Sequence, residues 1–144
     1  MKIEGSWPLC EDGAVRPVIY GEIQAADGSW KPSPFLVDTG ADRTVLSAAI
    51  LSTLNLPTCA SEETIAGIGG AAVSVIVETT CRLLDENGGD VLFKGRFAAF
   101  TEISALDMSV LGRDVMNLFA LIIDHQRDVV CLLGQRHSYT ITVE

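Results

Sequence analysis

Apolar and β-branched residues gather along this chain in short runs: VIYGEIQA, FLVD, VSVIVETTCRLLD, VLFKGRFAAF, SVLG, FALIID, VVCLL and SYTITVE. Runs of that length and composition predict strands. Turn formers separate them at Asp27-Gly28-Ser29, Pro32 to Pro34, Gly67 to Gly70, Asn87-Gly88-Gly89 and Asp124 to Asp128, so the chain is expected to reverse often. One stretch has a different period. In SAAILSTLNLP, with Leu46 just before it, Leu46, Ile50, Leu51 and Leu54 share a helical face, Ser47 stands where an N-cap belongs, and Pro57 stops the helix. A shorter helical turn is expected in RDVMNLF after Gly112. The pattern predicts a mostly β protein with one or two short helices. It contains a faint echo: Gly40-Ala41-Asp42 and Gly112-Arg113-Asp114 each follow an apolar strand and precede a helical segment.

Composition narrows the classes. The 144 residues, 48% of them apolar, are enough for one core, so residues 1–144 are expected to form a single domain. A formal charge of −9 opposes binding to nucleic acid and to anionic lipid. No apolar run has membrane-spanning length, and MKIEGSWPLC has no signal-peptide core, so a soluble cytoplasmic protein without membrane contact is expected. Cys10, Cys59, Cys81 and Cys131 are widely spaced, with no Cys-x-x-Cys pair and no histidine at ligand spacing. They read as reduced thiols, and no metal or cofactor is expected.

The chemistry concentrates in FLVDTGADRTVLS, residues 35 to 47, where an apolar strand runs into Asp38. A carboxylate at the end of a buried strand is costly unless it has a partner or a chemical task. Other candidates fall away. The glycines of TIAGIGGAAVSV lack the following helix and the lysine of a phosphate-binding loop. His125 and His137 have no nucleophile elbow or second ligand to join and read as surface residues. Glu62, Glu63, Asp85, Glu86 and Asp90 lie around turns and read as solubilising charge.

From Arg16 to about Leu133 the chain resembles the retropepsin-like aspartic proteases, the single-domain family of retroviral, retrotransposon and related cellular enzymes. Four elements carry the resemblance in family order: RPVIYGEI, LVDTGADRTVLS, GIGG and VLGRD. It implies a closed acid-protease barrel with one lobe per chain, and an aspartic endopeptidase with Asp38, Thr39 and Gly40 as its catalytic motif. Gly67, Ile68, Gly69 and Gly70 would form the tip of a flap that closes over substrate. Ala41, Val45, Ile68, Met108 and Val110 would line apolar pockets for an extended, mainly hydrophobic polypeptide. Asp42 and Arg113 match a buried acid and arginine that tie the catalytic loop to the segment after Gly112. Arg16 matches an arginine that reaches Asp42 of a second subunit. The chain departs from compact viral members at residues 1–15 and past the Gly112 helix, where a hairpin is followed by residues 134–144, whose SYTITVE either joins an intersubunit sheet or pairs within its own subunit.

The residues support the same chemistry independently. Carboxylate-driven peptide hydrolysis needs one ionised and one protonated acid, which two carboxyls about 3 Å apart provide by sharing a proton. One Asp-Thr-Gly in a chain of this size implies that the second acid comes from a second copy, so a homodimer is expected. Two rivals are a dimerising or peptide-binding domain without activity, and an unrelated β-barrel in which Asp38 is structural.

Overall fold

The computed structural model describes residues 1–67 and 70–134. Among these residues ten strands carry the architecture: β1 (Lys2–Glu4), β2 (Val18–Gln24), β3 (Trp30–Val37), β4 (Val45–Leu46), β5 (Thr58–Gly67), β6 (Gly70–Leu84), β7 (Asp90–Phe100), β8 (Ser109–Leu111), β9 (Ala120–Asp124) and β10 (Val129–Leu133). Two short helices, α1 (Ala48–Leu54) and α2 (Arg113–Met116), complete it with a 3-10 turn at Ile103–Ala105. Strands β2, β3, β8, β4, β7 and β6 follow one another in a sheet that closes where β2 also pairs with β6, and β5 extends from β6 as a hairpin arm. A second sheet has the order β1-β10-β9. The expected closed barrel of one lobe is the fold observed.

Alternation places the core inside the barrel. Ile19, Ile23, Phe35, Val37, Leu46, Val77, Leu83, Phe97, Ala99 and Leu111 are buried together, and Ile50 and Leu54 bring α1 against them. The helix begins as its sequence requires, with Ser47 Oγ accepting from Ile50 N–H, and ends on Asn55 in the left-handed region. Leu51 is only partly buried.

The proline stretch corrects one expectation. Pro32 and Pro34 mark no break, because β3 runs through them from Trp30 and pairs with β2 at Glu22↔Pro32 and Tyr20↔Pro34. Its other neighbour, β8, meets only Phe35–Val37. Among the described residues the prolines therefore lie where β3 has one partner, and their missing N–H groups face away from β2.

The N-terminal segment is also structured. Strand β1 pairs with β10, Trp7 Nε1 donates to Val129 O at 3.0 Å, and the Trp7 ring lies 4.7 Å from that of His125. Among the described residues, no helix is long and apolar enough to cross a membrane, and no group of three His, Cys, Asp or Glu side chains could hold a metal ion. The four cysteines are free, and burial pushes the Cys81 thiol up to about 12.

Candidate active site

Strands β3 and β8 run parallel as neighbours, Leu36 beside Val110 and Val37 beside Leu111. Each ends in one of the two echoed segments, so the internal similarity becomes a physical contact. Asp38 N–H donates to Leu111 O at 3.2 Å, Arg113 N–H to Ala41 O at 2.9 Å, and Asp114 N–H to Asp42 O at 3.2 Å. The catalytic-loop candidate is thereby laid backbone to backbone on the Gly112 turn.

That loop needs close approach. Ala41 N–H donates to Asp38 O at 3.1 Å and Gly40 N–H to Asp38 Oδ1 at 2.9 Å, which folds the loop around the carboxylate. Asp38 is half-buried, while Thr39 and Gly40 are exposed at the surface of the chain. The acid at the end of a buried strand therefore reaches an open face.

Arg113 and Asp42 do come together. Arg113 Nη2 pairs with Asp42 Oδ1 and Nη1 donates to Thr39 O at 3.1 Å, so one guanidinium holds both sides of the loop. The pair is neither bidentate nor buried in this chain: the side chains are 46% and 80% exposed. At that exposure its contribution within one chain is about 1 kcal/mol or less.

Arg16 is engaged elsewhere. Its Nη1 and Nη2 bind the two oxygens of Asp12, the first at 2.8 Å, across a small N-terminal hairpin bridged at Leu9↔Val15. The Arg16 hydrogen bonds hold the Asp12 carboxyl well below the usual carboxylate range. To reach Asp42 of a second copy, Arg16 would have to leave this pair.

Two of the expected pocket residues, Val45 and Val110, form a cross-strand pair between β4 and β8 and are both 6% exposed. Val45 also joins a satellite core with Ala98 and Phe100, against which Ile65, Ile76, Ala105 and Leu106 pack. The exit of the Asp38 loop, the β5–β6 arm and the loop before β8 thus share one apolar cluster. Ala41 and Met108 are half-buried. The arm closes with Gly67 opposite Gly70, whereas Ile68 and Gly69 lie outside the described residues.

Sequence reasoning missed Thr44 and Asp114. Asp114 Oδ1 accepts from Thr44 N–H at 2.9 Å, from the Thr44 hydroxyl at 2.7 Å and from Val115 N–H at 2.9 Å, with Oδ2 3.0 Å from Thr44 N. Thr44 Oγ1 in turn accepts from Gly112 N–H at 3.1 Å. The available signal was the echo itself, which aligned Asp114 with Asp42 and so with the loop it restrains.

Comparisons with known proteins agree with this geometry. No curated protein sequence matches the chain. Among solved structures, a protease of EIAV complexed with the inhibitor HBY-793 is 25% identical, with a TM-score of 0.51 over 71% of this chain and 86% of the other. A retropepsin-like aspartic protease from Rickettsia conorii is 19% identical and shares the fold, with a TM-score of 0.59 over 92% of this chain and 89% of that one. The aspartyl protease family profile matches residues 22–115, a span that holds the barrel strands from the end of β2 onward, the Asp38 loop and the Gly112 turn clamped to it. With its fold retropepsin-like and most of its length matched, the chain belongs to the aspartyl protease family.

Proposed function

We propose that this protein is an aspartic endopeptidase acting as a homodimer, with Asp38 of each copy forming one catalytic dyad on the two-fold axis. The observation that carries the reading is Asp38 itself. A single Asp-Thr-Gly carboxylate, gripped by the Gly40 N–H at 2.9 Å, sits half-buried at an open face of a one-lobe barrel. One carboxyl alone cannot supply both the base and the acid that amide hydrolysis needs.

In the proposed reaction the ionised carboxylate takes a proton from water as its oxygen attacks the peptide carbonyl carbon, and the protonated partner donates to the carbonyl oxygen. The resulting gem-diol collapses as the newly protonated carboxyl gives its proton to the amide nitrogen, the C–N bond breaks, and a diol hydroxyl gives its proton to the other carboxylate, leaving a carboxylic acid, an amine and a dyad with one shared proton. The β5–β6 arm would close over the substrate, an extended polypeptide with hydrophobic side chains beside the cut. Dimerisation also has room in the fold. The β1 edge is occupied by Glu86 N–H donating to Lys2 O at 3.0 Å. By contrast, among the described residues β9 is an edge strand of its sheet that exposes Ile122 and Ile123, where a second copy would extend the sheet. The expected role of SYTITVE in that sheet falls outside the described residues.

The test is incubation with denatured proteins across a pH series, with and without a statine-type inhibitor. Cleavage should be blocked by the inhibitor and should follow a bell-shaped profile with its maximum between acidic and near-neutral pH. The dyad works only while it holds one proton, so activity disappears when both carboxyls are charged and when both are neutral. Inhibitor-resistant cleavage that rises steadily into alkaline pH would overturn the assignment. So would intact dimers that bind the inhibitor and cleave nothing, which would leave a peptide-binding domain.

A further inference from the structure

We infer that Asp114 and Thr44 are positioning residues for the reaction, setting the place of the Asp38 carboxylate through the exit of its loop; this rests on the proposed activity. The two ends of the catalytic loop are held very differently. At its start, β3 continues directly into Asp38 with Val37 paired to Leu111. In its middle, the Arg113 grip on Asp42 and Thr39 is exposed to water and to salt. At its exit, Thr44 is 2% exposed, and its N–H and hydroxyl both converge on the Asp114 carboxylate.

The Thr44 hydroxyl has a double task. It donates to Asp114 Oδ1 at 2.7 Å while accepting from Gly112 N–H at 3.1 Å, so a single oxygen joins the loop exit to both the turn and the helix behind it. Asp114 also accepts from Val115 N–H inside the first turn of α2, which orients its carboxylate independently of the loop. Bonds to a charged acceptor are stronger than neutral ones, and here the donor residue Thr44 is buried while Asp114 keeps an exposed side. They fix Thr44 relative to α2, and the two loop bonds Arg113 N–H to Ala41 O and Asp114 N–H to Asp42 O transmit that register towards Asp38. Neither Thr44 nor Asp114 is assigned contact with substrate. Their effect is expected on the geometry of the reacting atoms, where a displacement near 1 Å can cost about a hundredfold in rate.

The experiment compares Thr44→Val, Thr44→Ser and Asp114→Ala with wild type. Competent sites are counted by titration with a tight-binding statine-type inhibitor, and all assays run well below each melting temperature. Thr44→Val removes the hydroxyl at nearly constant shape, and Asp114→Ala removes the acceptor. Both should lower kcat per titrated site by about tenfold or more while KM moves less than about threefold, because the substrate-facing walls stay in place. Thr44→Ser restores the hydroxyl and should recover most of kcat. A lowered melting temperature with kcat per site unchanged would show a purely structural role and overturn the inference.

A second readout does not depend on cleavage. Backbone amides of residues 40–44 should exchange with deuterium about tenfold faster in Thr44→Val, relative to amides of the β2–β3 ladder in the same molecule. Uniform acceleration, or none, would refute the clamp. A wild-type protein that cleaves nothing but shows the selective exchange would instead refute the proposed activity and leave the loop clamp standing.

Discussion

Asp38→Asn should abolish peptide cleavage while leaving fold and dimerisation intact. The amide has almost the shape of the carboxyl, and its oxygen can still accept from Gly40 N–H, the bond that closes the loop at 2.9 Å in the parent chain. It cannot become an anion, so no base is left to take the proton of the attacking water. General acid–base catalysis contributes about 10²–10⁴-fold. Because both acids of the proposed dyad change at once, the loss should lie at the upper end of that range. Measurement of kcat beside the melting curve and sedimentation of the same preparation separates chemistry from folding. A variant that keeps a tenth or more of parental kcat would point to a different catalytic group.

The second large effect is expected at Gly112. A Cβ built there would lie within 2.5 Å of Arg43 O and closer still to Arg43 C, both backbone atoms of the Asp38 loop. The backbone at Gly112, with φ −96° and ψ 178°, suits any residue, so the requirement for glycine is one of space. In Gly112→Ala the loop and the turn must separate. That separation lengthens the Gly112 N–H bond to Thr44 Oγ1 and the bonds from Arg113 and Asp114 to the loop carbonyls. Overpacking of this kind costs about 1–3 kcal/mol, a fall in melting temperature of several degrees in a chain of this size. Activity per folded molecule should drop with it, since Asp38 sits on the displaced loop. Gly95→Ala provides the control. No atom lies within 4 Å of a Cβ at Gly95, so its melting temperature and kcat should stay near those of the parent. Equal behaviour of the two variants would contradict the close packing beneath Asp38.

Why these features differ in legibility follows from what each depends on. Strands such as β2, β6, β7 and β10 announce themselves because their apolar runs are long enough to show a period, and α1 because a cap, a face and a proline coincide. Strands β1 and β4 are three and two residues long, too short for any period. The place of β1 is decided by Leu132 and its neighbours, which pair with Ile3 from the far end of the chain. The continuity of β3 through two prolines depends on which flank lacks a neighbour, a property of the assembled sheet.

The site divides in the same way. The pairing of Asp42 with Arg113 was legible because an ordered set of motifs placed the two together, and the same motifs single out Asp38, Thr39 and Gly40 for the proposed catalytic role. The exposure of that ion pair, and the engagement of Arg16 by Asp12, are matters of tertiary packing. Thr44 and Asp114 were passed over because a threonine and an acid beside a turn have many ordinary uses. Only the parallel pairing of β3 with β8 brings them within 2.7 Å.

The central claim is the shared dyad, and subunit mixing tests it most directly. Asp38→Asn protein is titrated into a constant amount of wild type, at a concentration where dimers persist and after exchange has been verified by an independent label. At equal amounts, random pairing leaves about a quarter of dimers with two aspartates, about half with one, and about a quarter with none. If each active site needs Asp38 from both copies, the mixed dimers are nearly inert, and activity per wild-type chain falls to about half its unmixed value, continuing down as more variant is added. A flat response, with exchange confirmed, would mean that each chain carries a complete site of its own and would contradict the shared dyad.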